Sequence, residues 1–480
     1  MTPTTLTSFT PVLASLVSLL AVLPIVYFGR KPNLREGFTF LAGFIKLGLV
    51  LSMLPIILAG NTIEYTLWEI VPNLSIAFRV DSFGMIFALV ASSLWIVTSL
   101  YSVGYMRGLK EHSQTRFYSF FAISLSATIG VAFSANLLTL YLFYEMLSLA
   151  TYPLVTHHQD KEARTGGRTY LTYLLSTSIG FVLPALIFIF LKTGSSMDFT
   201  SGGFLSGHIG ASEALVLLLL FTFGFAKAGL MPFHSWLPGA MVAPTPVSAL
   251  LHAVAVVKVG AFCIIRVYTG VFGIDFLSNL DLGTMITWIA AFTIITSSLI
   301  ALTQDNLKRR LAFSTVGQLA YIILGVALLT PYGLTGSMMH IAMHAFGKIT
   351  LFFCAGAIFQ ATGKKYISEM VGIGKRMPIT MIAFFIGSMS VVGLPFAGGF
   401  WSKFYLLWGT VSDGQHFMLI VLLISSLLNA AYFFPIVFKA FFCKPEESLF
   451  ENKIQEAHPC AVIALSLTAL GSIFLLSIRI

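Results

Sequence analysis

The chain has 480 residues, of which 57% are hydrophobic and only 10% are charged, whereas a soluble domain is about one quarter charged. Its mean hydropathy is +0.89, and apolar runs of about 20 residues recur along it, which excludes a soluble protein with a large apolar core. The net charge of +9 comes from basic residues in short loops and does not indicate nucleic-acid binding. Strand-like alternation is lacking, which excludes an outer-membrane barrel, so we predict a polytopic helical protein of the lipid bilayer.

Fourteen apolar segments are long enough to cross a bilayer, and they predict an all-α fold within a single transmembrane domain covering residues 1–480. The first segment has no basic region before it and is interpreted as a true membrane span rather than a cleaved signal. The predicted spans are residues 8–29, 37–58, 82–105, 115–133, 135–154, 168–191, 213–231, 244–271, 282–303, 310–329, 333–360, 378–409, 415–438 and 458–478.

The distribution of basic residues supports this division into spans. The loops after odd-numbered spans hold 19 of the 28 lysines and arginines, and the opposite side holds only four. Because cytoplasmic loops are enriched in lysine and arginine, the odd loops are predicted to be cytoplasmic and both termini to lie outside the cell. One span more or fewer would destroy this alternation.

Three polar stretches lie between the spans. Residues 60–80 predict a small external hairpin, residues 194–210 a glycine-rich external loop, and residues 444–457 a polar cytoplasmic linker. The four cysteines are scattered without a CxxC pair, so neither an iron–sulfur cluster nor a structural zinc site is predicted. Neither a phosphate-binding loop nor a flavin fingerprint is present, so no cofactor and no chemical reaction are expected in this chain itself.

Ionisable residues inside the predicted spans are the strongest functional signal. Each costs at least ~2.5 kcal/mol at membrane depth, and the usual reason to retain them is a path for ions or protons. One carboxylate, Glu145, cannot neutralise five lysines, so some of the lysines are expected to be neutral at rest and able to accept a proton. These lysines are Lys46, Lys227, Lys258, Lys348 and Lys403.

Two short segments predict interrupted helices. GLMPFHSW at 229–236 and GLPFAGGFW at 393–401 share a Gly-Leu-(x)-Pro-Phe core, and broken helices at membrane depth are tolerated only inside protein or beside a watery cavity. Lys227 lies just before the first break and Lys403 just after the second. Corresponding breaks in two halves of a chain are typical of transporters built from repeats, with sites near the middle of the membrane.

Glu145 lies ten residues into the fifth span, about 15 Å along the helix and therefore near the middle of the bilayer. A lone buried glutamate is either a protonatable relay group or half of a structural ion pair, and Lys227 is its expected partner. A lysine beside a glutamate holds its proton and releases it when moved away, so the pair is predicted to be a switch governed by distance. The alternative is a fixed bridge that only holds helices together.

Histidines and lysines of later spans extend this pattern. His252 and Lys258 lie about 120° apart on a regular helix and share one face only if that helix is broken, and His252 has the alternative of a hydrogen-bonded core histidine. His340, His344 and Lys348 are spaced by four and form one stripe, whose steps of about 6 Å would need one bridging water each to make a proton wire. A metal site at the two stripe histidines lacks a suitably spaced third ligand, so no metal is predicted.

Lys403 is interpreted as the terminal titratable group, with a snorkelling lysine as the alternative. Lys46, in the second span, has the simpler alternatives of facing a neighbouring subunit or snorkelling to the interface. The predicted lateral file runs through Glu145, Lys227, His252 or Lys258, His344 or Lys348, and Lys403.

These motifs resemble those of antiporter-like membrane subunits. KAGLMPFHSWLPGAMVAPTPVSALLHAVAVVKVG at 227–260 is similar to the signature of that family, and Glu145 at the end of NLLTLYLFYE, HAFGKITLFF at 344–353 and GLPFAGGFWSKF at 393–404 agree with it. Such subunits occur in respiratory complex I, membrane-bound hydrogenases and Mrp-type multisubunit sodium/proton antiporters. The resemblance extends over residues from about 80 to 440, nearly the whole chain.

The resemblance implies two inverted five-helix repeats, at residues 115–271 and 282–438, with helices 7 and 12 broken. It implies a location in the prokaryotic plasma membrane and partners that are other membrane subunits of one complex, including a sister antiporter-like subunit. Protons, and in an Mrp-type complex sodium, would be the transported ions. The proton path that it implies uses Glu145, Lys227, His252 with Lys258, and Lys403.

Two departures narrow the resemblance. The chain ends soon after the fourteenth span, without the long lateral helix of the largest antiporter-like subunits of complex I and Mrp complexes. Lys403 stands where the fourth complex I subunit usually has glutamate. Both features favour a protein like the D subunit of Mrp antiporters or its relatives in hydrogenase-type complexes.

Three functional classes are compatible with these features. The favoured class is a proton-translocating subunit of a multisubunit complex, driven by an ion gradient or by redox chemistry in partner subunits. The second is a standalone transporter of a small solute, which would need a pocket of neutral donors where the breaks offer mainly Gly, Ala, Pro and Phe. The third is a scaffold subunit whose charges are vestigial.

Overall fold

The computed structural model describes residues 4–194, 197–444 and 455–475, and of residues 251 and 252 it describes the backbone alone. Most of the linker predicted at 444–457 therefore lies outside the described residues. The helices are α1 (Thr10–Leu20), α2 (Val22–Tyr27), α3 (Pro32–Leu58), α4 (Ser82–Gly108), α5 (Gln114–Ala132), α6 (Leu137–Val155), α7 (Lys161–Thr177), α8 (Leu183–Thr193), α9 (Ala211–Gly224), α10 (Trp236–Gly239), α11 (Thr245–Leu250), α12 (Val256–Val267), α13 (Ile274–Asn279), α14 (Gly283–Thr303), α15 (Leu307–Ala327), α16 (Pro331–Thr362), α17 (Pro378–Val392), α18 (Gly399–Ser412), α19 (His416–Phe442) and α20 (Pro459–Phe474).

These helices confirm the predicted fold class. Each of the fourteen predicted spans contains a helix, and in the described part of the chain ten continuous helical stretches are long and apolar enough to cross a membrane. The helices α9, α17 and α20 are apolar but shorter. The number of helices that cross the membrane therefore stays a prediction.

Local sequence signals set the ends of these helices. The side chains of Asn136 and Asn306 each accept a hydrogen bond from the backbone N–H three residues further on, at the starts of α6 and α15. Pro331 and Pro378 occupy the first positions of α16 and α17, where the N–H that proline lacks would have no helical partner. Gly393 ends α17 in the left-handed conformation, with a φ of +90°.

A small sheet lies beside the first helices. Strands β2 (Thr62–Val71) and β3 (Leu74–Val80) form the hairpin predicted at 60–80, and β1 (Thr5–Thr7) pairs parallel to β2. The sequence did not predict β1, because three residues are too few to show a strand period. Arg79 of β3 binds Glu64 of β2 and donates to the carbonyl oxygen of Phe199, so the hairpin is tied to the loop after α8.

The chain divides into two compact units. In the first unit α5 packs on α6 and α1 packs on α3 and α5, whereas in the second unit α16 contacts α15, α17, α18 and α20. This grouping does not test the inverted repeats at 115–271 and 282–438, which stay a prediction. The first unit comprises Met1–Ile96, Ser113–Trp236 and Ala255–Thr284, and the second comprises Val97–His112, Leu237–Val254 and Met285–Ile480.

A largely buried ion pair fixes the start of α4 within the first unit. Arg266 binds Asp81 through two hydrogen bonds, and its guanidinium lies over the rings of Phe83, Phe199 and Phe262. Burial disfavours the ionised carboxylate, but the guanidinium outweighs this effect and holds the pKa of Asp81 below its ordinary value. Among the described residues Asp81 is the carboxylate that pairs with Arg266.

We expect Asp81→Ala to lower the melting temperature of the purified protein by several degrees, because it leaves the Arg266 guanidinium buried without its carboxylate. Losing one partner of a fully buried pair costs about 3–5 kcal/mol, and the 28% exposure of the Asp81 side chain reduces that cost. Glu213→Ala is the matched control, since it breaks an exposed pair with Lys192 that contributes at most about 1 kcal/mol. Equal melting temperatures for the two variants, recorded by intrinsic fluorescence, would contradict this assignment.

Candidate functional site

The first unit contains the helix break predicted around Pro232. After α9 ends, a 3₁₀ turn follows at Ala226–Ala228, and Gly229 then adopts the left-handed conformation with a φ of +67°. The indole N–H of Trp236 donates to the carbonyl oxygen of Ala226 at 2.9 Å, which satisfies one of the carbonyls freed by the break. The result is a buried non-helical stretch of backbone that contains Lys227.

Lys227 is fully buried and is bound to α6. Its Nζ donates to the carbonyl oxygen of Tyr144 at 2.8 Å and to the hydroxyl of Ser148 at 2.6 Å. The same nitrogen lies 3.1 Å from the centroid of the Tyr144 ring, whose π face attracts a cation. A carbonyl, a hydroxyl and a ring therefore hold this amine, and all three belong to one turn of α6.

Glu145 follows Tyr144 directly on α6 and is only partly exposed. In the described part of the chain its Oε1 is buried without a hydrogen-bond partner, and it makes no ion pair with Lys227. The two charges interact electrostatically without contact. The structure therefore does not form the fixed bridge that was the alternative, and the switch governed by distance stays a prediction.

Lys258 is fully buried on α12. Two residues further on, at Gly260, this helix packs against the break. A Cβ on Gly260 would overlap the backbone of Ala228 and come within 2.8 Å of the Cβ of Lys227, so only glycine allows this approach. A π-helical turn at Leu251–Ala255 interrupts the helix between His252 and Lys258. The regular spacing of about 120° therefore does not apply to that pair, and the side chain of His252 lies outside the described atoms.

The second unit contains the other predicted break, between α17 and α18. Lys403 is 5% exposed, and its Nζ donates to the carbonyl oxygen of Val392 at 3.0 Å and to the hydroxyl of Ser426 at 3.2 Å. Val392 is the last residue of α17, so the amine binds the negative end of a half-helix. The alternative of a snorkelling lysine is wrong, because the side chain is held inside the protein.

His340 joins α16 to α15 and α18, two of its neighbours in this unit. Its Nδ1 lies 2.9 Å from the hydroxyl of Ser402 on α18, and its Nε2 lies 3.0 Å from Oε1 of Gln318 on α15. The ring of Tyr321 stacks on the His340 ring, with 5.8 Å between centroids, and the Nζ of Lys403 lies 4.8 Å from the Tyr321 centroid. The structure thus brings His340 and Lys403 to one polar cluster.

His344 and Lys348 continue the stripe along α16. The rings of His340 and His344 have centroids 5.6 Å apart, so the predicted spacing places them as neighbours. Lys348 is fully buried, and its Nζ donates to the carbonyl oxygen of Leu311 at 3.3 Å. Because Ser402 and Gln318 already contact both ring nitrogens of His340, the metal alternative has little support here.

Several polar residues of the site were not singled out from the sequence. Ser148, Gln318, Ser402 and Ser426 supply the groups that hold the lysines and His340. The available signal was a polar side chain within one helical turn of a predicted site residue or on a neighbouring span. That signal is weak, because a serine in an apolar helix also bonds its own backbone, as Ser388 does with Phe384.

Comparison with known families covers most of the chain. Residues 134–429 match the family model described as NADH:quinone oxidoreductase/Mrp antiporter, TM. Residues 70–118 match the model described as NADH-Ubiquinone oxidoreductase (complex I), chain 5 N-terminus. The first match contains both helix breaks, and the resemblance inferred from the motifs is thereby confirmed.

Individual relatives agree with this family. NADH-quinone oxidoreductase subunit N of Desulforudis audaxviator is 31% identical and covers 89% of this chain and 87% of the relative. The A/B subunit of a probable K(+)/H(+) antiporter of Rhizobium meliloti is 30% identical over 77% of this chain but only 37% of its own length. NAD(P)H-quinone oxidoreductase chain 5 of Synechocystis is 29% identical, and the chain spans 56% of it.

Two solved structures share the fold. A chain of the membrane-bound sulfane sulfur reductase, described as an archaeal respiratory membrane complex, superposes with a TM-score of 0.87 at 23% identity, covering 98% of this chain and 94% of the other. A chain of the Mrp complex from Dietzia sp. superposes with a TM-score of 0.81 at 20% identity, covering 97% and 94%.

We expect Gly260→Ala to displace Lys227 from α6, because the new methyl group would meet backbone atoms that cannot rotate away. Overpacking of this kind costs about 1–3 kcal/mol, so both the melting temperature and the transport rate of the complex should fall. Gly48→Ala on α3 is the matched control, since a Cβ there meets nothing within 4 Å. A Gly260→Ala variant as stable and as active as Gly48→Ala would show that the close approach is unimportant.

Proposed function

Because this chain belongs to the NADH:quinone oxidoreductase/Mrp antiporter family of antiporter-like membrane subunits, we propose that it carries protons laterally through the membrane within a multisubunit complex. The observation that carries this proposal is the place of Lys227, buried in a helix break and bound to the helix of Glu145. The proposed proton-transfer groups are Glu145, Lys227, His252, Lys258, His340, His344, Lys348 and Lys403.

The contacts of Lys227 suit an amine that changes its protonation state. An ammonium has three N–H donors, and Tyr144 and Ser148 supply two neutral oxygen acceptors, with the aromatic ring beside them. No carboxylate among the described residues neutralises this ammonium by contact, so the separate charge of Glu145 decides how firmly the proton is held. Approach of Glu145 would retain the proton, and its withdrawal or protonation would release the proton toward Lys258.

The second unit offers a comparable relay. The imidazole of His340 has a polar neighbour at each ring nitrogen, and the Ser402 hydroxyl can both donate and accept. Such a ring can take up a proton on one side and release it on the other. We propose that protons pass from His344 or Lys348 to Lys403, the order inferred from the sequence, and we add His340 as a step before Lys403 because it shares a polar cluster with that lysine.

The finer assignment that we propose is the D subunit of an Mrp-type monovalent cation/proton antiporter. The support is Lys403, an amine rather than a carboxylate beside the second break, as the resemblance to Mrp D subunits implies. Its partners would be small membrane subunits and a sister antiporter-like subunit, and sodium would be the counter-ion. The chain is a multi-pass membrane protein, and we propose a prokaryotic plasma membrane with both termini outside; no cofactor is proposed.

A second candidate is a proton-pumping subunit of a redox-driven complex. One observation favours it: the NADH-quinone oxidoreductase subunit N relative aligns over most of both chains. The same proton path would then be driven by electron transfer in partner subunits, and this chain would itself carry no redox group. A standalone solute transporter has less support, because the polar groups of the first break bind each other, as Trp236 does with Ala226.

We expect Glu145→Gln and Lys227→Ala to reduce proton transport by the assembled complex about 100-fold, the usual contribution of a group that relays a proton. Lys227→Arg should fail as well, because a guanidinium keeps its charge but does not release its proton. Lys192→Ala, which breaks an exposed pair outside the path, is the control and should transport normally. Transport unchanged in both Glu145→Gln and Lys227→Ala would end the proposal.

The driving partner is decided by what purifies with the chain. We expect gentle affinity purification of the native complex, followed by mass spectrometry, to recover small membrane subunits and a larger antiporter-like chain without iron–sulfur proteins. Recovery of hydrophilic iron–sulfur, nickel or flavin subunits would instead establish the redox-driven alternative. Recovery of the chain alone, with solute-dependent binding, would favour a standalone transporter.

A further inference from the structure

We propose that Lys46 is an additional proton-binding site of the first unit, lying outside the stretches that the family models match. Lys46 stands in the middle of α3, whereas the matched stretches are residues 70–118 and 134–429. The sequence suggested two simpler interpretations of Lys46, a side chain that faces a neighbouring subunit or one that snorkels to the interface. Both are wrong, because the side chain is 0% exposed within the chain itself. This inference rests on the proposed proton transport and adds a site to it.

The surroundings of Lys46 favour an amine that is neutral at rest. Its Nζ donates to the hydroxyl of Ser18 at 2.6 Å and lies 4.7 Å from the centroid of the Trp95 ring. In the described part of the chain these are its polar and aromatic contacts, and no carboxylate is among them. One acceptor is too few for the three donors of an ammonium. A permanent charge there would be poorly compensated, whereas a transient one would find a hydroxyl and a π face.

A series of buried serines leads away from this amine, and its first link runs from the Ser18 hydroxyl to the backbone carbonyl of Ser15. Ser18 donates to the carbonyl oxygen of Ser15 at 3.3 Å, and the hydroxyl of Ser15 donates to the carbonyl oxygen of Ser126 at 2.9 Å. The Ser15 and Ser126 hydroxyls are themselves 3.3 Å apart. The series crosses from α3 over α1 to α5, and α5 packs directly on α6, the helix that carries Glu145. Lys46 is therefore connected by polar groups to the neighbour of the proposed path.

Two polar atoms of α4, one of them on the ring beside Lys46, lack hydrogen-bond partners within the described residues. Both the indole Nε1 of Trp95 and the hydroxyl of Ser92 are fully buried and make no hydrogen bond within the described residues. They lie three residues apart on α4, so they occupy neighbouring positions on one side of that helix. A buried water takes two to four polar partners, and the Trp95 indole N–H is a buried donor on the ring that lies beside the amine. This unpartnered donor is an observation, independent of the serine contacts, in favour of a polar ligand such as water at the site.

The ion pair on the same helix is remote from the amine. Arg35 and Glu36 pair with each other at the start of α3, roughly 15 Å along the helix from Lys46. Ser126, the last serine of the series, also lies roughly 15 Å along α5 from Arg116. The series therefore does not end at that charged side chain. The titratable groups on the surrounding elements are Tyr27 on α2, Arg35 and Glu36 on α3, Glu64, Tyr65 and Glu69 on β2, Asp81, Tyr101, Tyr105 and Arg107 before or along α4, and Arg116 and Tyr118 on α5; α1 has none.

The test compares Lys46→Met, Lys46→Arg and Ser18→Ala in the complete complex, measuring proton transport in vesicles across a range of pH. We expect Lys46→Met to lower the rate about tenfold and to change its pH profile, less than the about 100-fold loss for a group in direct line. Lys46→Arg should not restore transport, because arginine stays charged. Ser18→Ala should alter the pH profile in the same direction as Lys46→Met while leaving the amine in place.

Each result decides the matter. Rescue by Lys46→Arg would show that only a positive charge is needed, and a rate and pH profile unchanged in Lys46→Met would remove the site from the path; both outcomes overturn the inference. If Lys46→Met does not assemble, Ser18→Ala decides by its pH profile alone. Glu145→Gln is measured in parallel. Loss of transport in Glu145→Gln together with normal transport in Lys46→Met contradicts this inference alone. Normal transport in Glu145→Gln contradicts the proposed function itself.

Discussion

The lipid core of a bilayer offers no water to backbone polar groups, which must be satisfied inside the protein, and the architecture of this chain follows from that constraint. Each helix break frees carbonyl groups that a continuous helix would have satisfied. Lys403 binds one of these, the carbonyl of Val392 at the end of α17. In the first unit the indole of Trp236 does the same for Ala226, and Lys227 turns to α6 instead. At both breaks a side-chain donor therefore satisfies a carbonyl group that the missing helical turn leaves free.

The kind of partner determines whether such an amine can work as a relay. A carbonyl or hydroxyl contributes only about 0.5–1.5 kcal/mol net, whereas removing one member of a buried ion pair costs about 3–5 kcal/mol. Lys227 and Lys403 both have neutral oxygen acceptors, whereas Arg266 is bound by the carboxylate of Asp81. The chain thus separates two uses of buried cations. The arginine holds elements together, and the neutral partners of the lysines suit the proton exchange that we propose for them.

The sequence predicts a site residue well when that type of residue has few other roles inside a membrane span. Glycine and proline in GLMPFHSW and GLPFAGGFW have few other uses inside a span, and both breaks are where those motifs predicted them. Glu145 and the lysines were recognisable because a charge at membrane depth is rare. The partners Ser148 and Gln318 were not, since a hydroxyl or amide in an apolar helix can bond its own backbone equally well. Tertiary packing decides which of these hydroxyls and amides contact the site residues.

The orientation of Lys46 shows a more general limit. In a soluble protein the polar face of a helix identifies its exposed side, but α3 has apolar residues all round because lipid and core are equally apolar. Leu41 and Phe44 are exposed and Val50 is buried on the same helix, with nothing in their chemistry to separate them. The sequence of such a helix is therefore equally compatible with a lysine that faces the lipid and with one that faces the protein core. Its burial against Ser18 and Trp95 in the structure excludes an interfacial anchor.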